Sequence, residues 1–234
     1  MKQTCIIIGG TKGLGNALAK LFDKEYDIVI TGRTPLDDNT FRFEALNIDA
    51  DVGGLEKRIQ SIVAQYTNIG LIIHAAGAGL EKPITEHSGG EIVSCLNTAI
   101  TTPALFVKYT LQKQGILAGL IMITSTSAWT PRELEPIYAA AKAGEGHLAA
   151  SLAQNKNIKK TLKAGPSGMN TPFWDNTNKD TSTMLDPMNV ALIIYEYFQK
   201  EFTYKGIRIL RNPERVEEEY KYIVIYIPGF TWFF

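Results

Sequence analysis

The segment Gly9-Gly10-Thr11-Lys12-Gly13-Leu14-Gly15 joins an apolar run, residues 5–8, to an amphipathic one, residues 13–25. The short β-branched run is typical of a buried strand, and the apolar spacing after it is typical of a helix. The alternation recurs: strand patterns cover residues 27–31, 71–74, 119–124, 161–164 and 207–210, and helix patterns cover residues 55–66, 91–112, 138–154 and 187–201. Strands that are apolar on both faces and alternate with helices predict an α/β protein with a parallel sheet.

The glycines of this segment suit a turn that binds a dinucleotide. Gly9 can make the tight turn, Gly13 lets the backbone approach a pyrophosphate, and Gly15 lets the helix pack closely on the strand. The free amides and the dipole at a helix start favour negative charge. A purely structural turn is the alternative, but the position between the first strand and the first helix favours cofactor binding. The predicted cofactor-binding residues here are Gly9, Thr11, Lys12, Gly13, Leu14 and Gly15.

The predicted fold is therefore a Rossmann-type doubly wound parallel sheet of about seven strands, flanked by helices in a three-layer α/β/α arrangement. Residues 1–215 form the single predicted domain, which carries both the cofactor site and the catalytic site. The tail, residues 216–234, is aromatic and β-prone after Glu217-Glu218-Glu219. It suits an added edge strand, a contact between subunits or a flap over the active site, and the sequence does not choose among the three.

The charge and cysteine content exclude several classes of function. The 234 residues include 24 basic and 24 acidic side chains, so the chain has no electrostatic reason to bind nucleic acid or an anionic membrane. No apolar run is as long as a membrane span and the N-terminus has no signal-peptide pattern, so we expect a cytosolic protein. Cys5 and Cys95 lie in apolar patterns and are predicted to be buried reduced thiols rather than a disulfide. No metal site is predicted.

The end of the second predicted strand, around Arg33, indicates which dinucleotide binds. NAD-binding Rossmann domains usually place an acid here to hold the ribose 2′-hydroxyl, and residues 28–34 contain none. Arg33 can bind a phosphate with two hydrogen bonds, and Lys12 adds a second positive charge. Two solvated surface cations are the alternative. Their joint position favours a 2′-phosphate site and therefore NADP, with NADPH preferred over NADH.

The glycine spacing, G-x-x-x-G-x-G rather than G-x-G-x-x-G, resembles that of the single-domain branch of the short-chain dehydrogenase/reductase superfamily. The resemblance implies basic residues at the positions of Lys12 and Arg33 in members that prefer NADP. It also implies that Asp49, in Asn47-Ile48-Asp49 after a third strand that precedes residues 71–74, contacts the adenine amino group. A helix N-cap is the alternative role for Asp49.

The fourth predicted strand closes with His74-Ala75-Ala76-Gly77, where the family usually has Asn-Asn-Ala-Gly. The resemblance implies that Ala75, Ala76 and Gly77 leave room for the cofactor ribose. His74 replaces an asparagine, and both side chains can hydrogen-bond to the backbone. We therefore expect a structural histidine rather than a catalytic one.

Tyr138 and Lys142 are the predicted catalytic pair. A spacing of four residues places both side chains on one helix face, and a neighbouring ammonium lowers the pKa of a tyrosine. Tyr109 and Lys113 have the same spacing, so the spacing alone is not specific. Ser125 separates the two pairs, because it lies thirteen residues before Tyr138 at the end of the fifth predicted strand, where open α/β sheets bind ligands. Ser125, Tyr138 and Lys142 thus match the catalytic trio of the family.

Three more residues extend the resemblance. Asn97 lies in the middle of a predicted helix, where asparagine is a poor helix former. It is either a tolerated polar residue or, as the family implies, a residue that disturbs the helix so that a carbonyl can hold a water in a proton relay. Pro166 and Thr171 follow the sixth predicted strand, and the resemblance implies that Thr171 reaches the nicotinamide carboxamide. Ser167 departs from the usual glycine, which puts the geometry of this loop in question.

The combined residues predict reduction of a small-molecule carbonyl to an alcohol by NADPH, or the reverse reaction. Ser125 and Tyr138 would hydrogen-bond the carbonyl oxygen, and Tyr138 would donate its proton. The resemblance implies that Lys142 also binds the nicotinamide ribose. An NADP-sensing protein without catalysis is one alternative, but it would not need the intact trio. A sugar-nucleotide epimerase is another, but it would normally need a longer chain.

Apolar residues near the site raise two further questions. Trp129, Phe173 and Trp174 suit either a pocket for an apolar or aromatic substrate or a lid that packs on the protein itself. The resemblance implies a homodimer or homotetramer that pairs through the helices of Asn97 and Tyr138. Apolar side chains beyond one core stripe of these helices support this expectation, namely Phe106, Leu148 and Leu152.

Overall fold

The centre of the fold is an eight-stranded sheet in the order β3-β2-β1-β4-β5-β6-β7-β8. This computed structural model describes residues 2–36, 40–79, 81–175, 177, 179–211 and 214–219, with the backbone of residues 225–227 and 230–232. The strands are β1 (Gln3–Ile8), β2 (Tyr26–Gly32), β3 (Arg42–Ala45), β4 (Ile69–His74), β5 (Gly119–Ile123), β6 (Thr161–Pro166), β7 (Tyr204–Arg211) and β8 (Glu214–Glu219). Neighbouring strands are parallel except β7 and β8. The predicted doubly wound sheet is confirmed, with one strand more than the seven expected.

Within the described ranges, six α-helices cover the two faces of the sheet. They are α1 (Gly13–Phe22), α2 (Val52–Gln65), α3 (Gly89–Leu96), α4 (Thr102–Gln114), α5 (Pro136–Leu152) and α6 (Pro187–Gln199). Side chains of β1 alternate between the faces: Cys5 and Ile7 pack in one core with α1 and α6, whereas Ile6 and Ile8 pack in the other with α2, α4 and α5. Successive strand side chains point to opposite faces, so a strand covered on both sides is apolar throughout.

The helix expected over residues 91–112 is two α-helices joined by a π-helical turn, Asn97–Thr101. The run 89–114 is long and apolar enough to cross a membrane by length and composition, because a stretch of 18 residues within it has a mean hydropathy of 1.2. In this fold it is a core helix, because Phe106 and Val107 are buried against the sheet and α2. Phe106, expected at a contact between subunits, is therefore inside the domain and cannot contribute to one. Cys5 and Cys95 are free and buried, as predicted.

The first part of the tail belongs to the sheet. The domain was expected to end at residue 215, but strand β8 continues to Glu219 and pairs with β7 along its whole length. Glu219 forms ion pairs with Lys163 on β6 and, at 3.2 Å, with Arg208 on β7. Further on, residues 225–227 pair with residues 230–232 in a separate antiparallel ribbon. The edge-strand possibility thus applies to residues 214–219, whereas residues 220–224, 228–229 and 233–234 of the tail lie outside the described residues.

Candidate active site

The glycine loop between β1 and α1 packs too tightly for side chains. Gly9 and Gly13 have φ angles of 81° and 52°, which favour glycine. A Cβ on Gly15 would collide with the Gly9 carbonyl oxygen, and one on Gly9 would lie 2.7 Å from the Ala76 Cα. Lys12 precedes the helix, and in the described part of the chain its side chain makes no capping hydrogen bond. The helix start is thus left for an anion, and the loop fits a phosphate group.

The remaining predicted residues of the cofactor site surround this loop. Thr11 lies against Gly32 at the end of β2, and Leu14 is buried in the core, so only its backbone faces the loop. The Ala75 N–H donates to the Ile8 carbonyl at 2.9 Å and so continues the pairing of β4 with β1. The strand ends of β1, β2 and β4 therefore converge at the glycine loop, as expected for a doubly wound sheet.

The loop after β6 reaches the glycine loop from the other side. A Cβ on Gly13 would lie 3.1 Å from the Thr171 Cβ, so Thr171 lies directly beside the glycine loop. Pro166 ends β6, and the Ser167 N–H donates to the Ile209 carbonyl at 2.8 Å. The unusual Ser167 therefore keeps its strand pairing, and Pro166 and Thr171 lie where the sequence predicted.

Arg33 and Asp49 line a cleft of about 470 Å³ beyond the ends of β2 and β3. The Asp49 carboxylate accepts hydrogen bonds from the Asp51 N–H at 2.9 Å and the Asn47 side-chain amide at 3.0 Å. Asp51, not Asp49, caps α2 by accepting from the Gly54 N–H at 3.1 Å. The N-cap alternative for Asp49 is therefore wrong.

Arg58 lines the same cleft and was not predicted from the sequence. Its Nε donates to the Ala45 carbonyl at 2.7 Å, and its Nη2 donates to Glu44 at 2.8 Å. The residue lies on α2, and the packing of α2 brings it back to the end of β3. The sequence signal that could have pointed to Arg58 is a basic residue on the helix that follows β3.

Ser125, Tyr138 and Lys142 come together at the carboxyl end of β5. Ser125 directly follows that strand region and accepts a hydrogen bond from the Ser127 N–H at 3.2 Å. Tyr138 and Lys142 lie one turn apart on α5, with the Lys142 Nζ 5.9 Å from the centre of the Tyr138 ring. The Ser125 hydroxyl lies close enough to Tyr138 to lower its pKa through a hydrogen bond. The structure thus brings the three predicted residues together.

The pKa of Tyr138 is raised above its usual value, opposite to the expectation from Lys142 alone. Burial is the largest cause and raises the pKa, because it disfavours the phenolate. The positive charge of Lys142 and the Ser125 hydrogen bond lower it, and the charges of Glu145 and Glu135 raise it. Lys142 therefore acts in the expected direction but is outweighed.

Lys142 is held inside the protein by groups that no sequence pattern connected to it. Its Nζ donates to Glu145 Oε2 at 2.7 Å and to the Ile123 carbonyl at 2.9 Å. The other Glu145 oxygen lies 2.5 Å from His74 Nδ1. Burial alone would lower the pKa of Lys142, but Glu145 and Tyr138 together outweigh burial and raise it. His74 thus contacts a carboxylate rather than the backbone, and an acid three residues after Lys142 was the overlooked signal.

Asn97 lies at the start of the π-helical turn, so the helix is disturbed where the sequence predicted a disturbance. Its side-chain amide donates to the Asp49 carbonyl at 2.7 Å, and its Oδ1 accepts from the Thr101 hydroxyl at 3.0 Å. Asn97 therefore ties the α3–α4 junction to the loop that follows β3.

The second tyrosine–lysine pair has a structural role. The Tyr109 hydroxyl donates to Glu56 at 2.6 Å. The Lys113 ammonium donates to three backbone carbonyls at the end of α2, those of Val63, Ala64 and Tyr66, at 2.7–2.9 Å. Tyr109 and Lys113 thus join α4 to α2, away from the cofactor loop, as their sequence context indicated.

The three aromatic residues pack on the protein itself, next to the site. The Phe173 ring lies 5.9 Å from the Tyr138 ring and 4.8 Å from the Trp174 ring, between centroids. The Arg208 guanidinium lies 4.4 Å from the centre of the Trp129 ring. Gly77, Tyr138 and Lys142 line a narrow crevice next to these rings that has essentially no room for a water molecule.

Comparisons with known proteins agree with this geometry. The profile described as short chain dehydrogenase matches residues 3–182. The chain is 26% identical to an uncharacterized oxidoreductase of Schizosaccharomyces pombe, over 82% of this chain and 77% of that one. It is 25% identical to Carbonyl reductase family member 4 of Xenopus laevis, over 80% of this chain and 84% of that one. Its fold is similar to that of the structure "ElxO with NADP Bound", with a TM-score of 0.74 and 20% identity, over 91% of this chain and 98% of that one. This protein belongs to the short chain dehydrogenase family and is an oxidoreductase.

Proposed function

We propose that this protein reduces a carbonyl group to an alcohol, or catalyses the reverse reaction, with Tyr138 as general acid or base. The observation that carries the proposal is the placement of Ser125 and Tyr138 together at the carboxyl end of β5. Open α/β sheets bind their ligands at this edge. The relative named Carbonyl reductase family member 4 supports the same reaction class.

The hydroxyls of Ser125 and Tyr138 both act on the oxygen of the substrate carbonyl. Ser125 and Tyr138 donate hydrogen bonds to this oxygen, where negative charge develops during reduction. A bound nicotinamide dinucleotide supplies the hydride. Tyr138 then gives its proton to the oxygen, and its raised pKa means that this proton is present at neutral pH. Lys142 remains charged next to the ring and stabilises the phenolate that is left.

The proposed cofactor is NADP(H), with NADPH preferred. Arg33 lies exposed on the cleft beyond β2, where it can bind a 2′-phosphate, and Lys12 lies at the start of α1. Arg58 lines the same cleft as Arg33, with its guanidinium paired to Glu44 at 2.8 Å. Asp49 would hold the adenine amino group, Thr171 would hold the nicotinamide carboxamide, and Asn97 would help to return the proton to Tyr138. ElxO, whose fold is similar, has a structure with NADP bound, which is consistent with this choice.

The proposed assembly is a homodimer or homotetramer that pairs through α3, α4 and α5. Val93 and Leu96 on α3 remain 39% and 38% exposed, which is high for such apolar side chains. Leu148 and Leu152 on α5 are only partly buried against the domain core. A second copy of the chain would cover these side chains.

The test is a panel of aliphatic and aromatic carbonyl compounds, with NADPH oxidation followed by absorbance. Reduction of any class in the panel supports the proposal. A parallel titration measures NADPH affinity without turnover. Tight NADPH binding without reduction of any compound would instead indicate a protein that senses the cofactor.

A further inference from the structure

Three buried side chains from two elements form a continuous chain of contacts beneath Tyr138. His74 ends β4, and Lys142 and Glu145 lie on α5. Glu145 Oε1 lies 2.5 Å from His74 Nδ1, and Glu145 Oε2 accepts from Lys142 Nζ at 2.7 Å. The side chains of His74 and Glu145 are fully buried. Glu145 therefore bridges a strand end and the lysine of the proposed catalytic trio.

This arrangement is costly unless its charges are matched. A buried carboxylate without partners is strongly unfavourable, whereas a paired and hydrogen-bonded one is tolerated. Here the Lys142 ammonium balances the charge of Glu145, and an imidazole N–H from His74 satisfies the second carboxylate oxygen. One Lys142 proton goes to Glu145 and one to the Ile123 carbonyl, which leaves a third for another partner. The lysine is thus fixed in position by partners on two sides.

We propose that Glu145, held by His74, is a positioning residue of the active site that fixes the Lys142 ammonium and offsets its charge next to Tyr138, so that Tyr138 works as an acid in carbonyl reduction. This inference rests on the proposed function for its catalytic meaning. The electrostatics agree in sign: Lys142 lowers the pKa of Tyr138 and Glu145 raises it. Without Glu145, the lysine would favour the phenolate, which suits alcohol oxidation.

Several charged and titratable groups lie around Ser125, Tyr138 and Lys142, and they differ in whether they contact the Lys142 ammonium. His74 faces it from β4, and the Cys95 thiol approaches Lys142 from α3. Glu135, before α5, also raises the pKa of Tyr138 but bonds to the Ser127 hydroxyl at 2.6 Å. Lys163 on β6 lies near Gly146 and is paired with Glu219. Glu145 is therefore the acid that contacts the ammonium directly.

The deciding variant is Glu145→Gln, which removes the charge and keeps the shape: its amide oxygen can accept from Lys142, and its amide N–H can donate to His74 Nδ1 once the imidazole changes tautomer. In the ligand-free protein, ultraviolet absorbance would follow phenolate formation, with the corresponding Tyr138→Phe protein subtracted to isolate Tyr138. We expect the Tyr138 transition to move to lower pH by on the order of one unit, the size of a nearby charge in a partly polarisable site. With an active carbonyl, the basic limb of kcat/KM for reduction should move in the same direction.

The double variant Glu145→Gln with His74→Asn provides a second route if the single variant does not fold, because it places two neutral amides opposite each other. Glu56→Gln, which removes an acid from the Tyr109 contact, is the matched control and should leave both profiles unchanged. A role in stability alone would lower activity at every pH without moving either transition. An unmoved Tyr138 transition in the folded variants would overturn the inference. A moved transition in a protein that reduces no carbonyl would leave it standing and reject the proposed function instead.

Discussion

The ring of Phe173 packs against the ring of Tyr138, with 5.9 Å between their centroids. Phe173 also lies over the backbone of Gly77 and Gly79, where a Cβ on Gly79 would lie 2.7 Å from the ring and one on Gly77 would lie 3.3 Å from it. The loop that follows β6 therefore covers the proposed proton donor. Phe173 contributes to the burial that raises the pKa of Tyr138, and it forms an apolar wall beside the proposed active site.

Phe173→Ala should raise KM for an aromatic carbonyl by roughly ten-fold, because an aromatic contact is worth about 1 kcal/mol. NADPH affinity should remain close to that of the wild type. Phe202→Ala removes a ring that packs against Phe198 instead, and serves as the control. Steady-state kinetics on both variants provide the measurement, and equal KM values in the two would show that Phe173 does not wall the substrate pocket.

Arg33→Asp should weaken NADPH binding by roughly ten- to a hundred-fold, the value of a charge-assisted hydrogen bond to phosphate. NADH binding should stay the same or improve, because the new acid can accept from a ribose 2′-hydroxyl. Lys57→Asp makes the same change of charge on the exposed neighbour of Arg58 and should have little effect. Fluorescence titration with both cofactors measures this, and a wild type that binds both equally well contradicts the 2′-phosphate site.

Much of the fold follows from local sequence signals. The runs at residues 5–8 and 71–74 are apolar on both faces because helices cover both sides of β1 and β4. Gly9 and Gly15 of the glycine loop cannot be replaced without a clash, because a Cβ at either position would collide with backbone atoms. Tyr138 could be separated from Tyr109 because the position of each relative to β5 is set by chain order. These predictions needed only the spacing of apolar residues along the chain and the order of the strands and helices.

The rest of the site depends on contacts between distant parts of the chain. Glu145 and His74 are 71 residues apart, and only the packing of α5 on β4 joins them. The net direction of the Tyr138 pKa depends on burial, which the sequence does not measure. Phe106 was misplaced because an apolar residue outside one helical stripe can still face the core where a helix packs on two elements.

Leu96→Glu should dissociate the proposed oligomer, because a charge on the exposed apolar face of α3 would be desolvated at a subunit contact. The Leu96 side chain is 38% exposed in the single chain, so folding should change little. Leu192→Glu, at a similarly exposed position on α6, is the control and should leave the assembly intact. Light scattering at micromolar concentration decides between the outcomes. A monomeric wild type contradicts the proposed pairing.

Lys142→Ala should impair both turnover and NADPH affinity, because Lys142 is assigned to the ribose as well as to Tyr138. The variant also leaves Glu145 buried without its cation, which is destabilising by about 3–5 kcal/mol. Lys142→Met with Glu145→Gln removes both charges and should recover most of the stability without recovering turnover. Thermal unfolding alongside single-turnover kinetics separates the two effects. Turnover that returns with stability would show that Lys142 serves the fold alone.

The most direct test of the account is single-turnover oxidation of bound NADPH by Tyr138→Phe, compared with Tyr109→Phe. Each change removes one oxygen and keeps the ring. With an active carbonyl, Tyr138→Phe should react roughly 10²–10⁴-fold more slowly, the usual loss on removing a general acid, while NADPH affinity stays near that of the wild type. Tyr109→Phe should react at the wild-type rate, since its hydroxyl bonds only to Glu56 and Lys108 among the described residues. Full activity in Tyr138→Phe would contradict the assignment of Tyr138 as the proton donor.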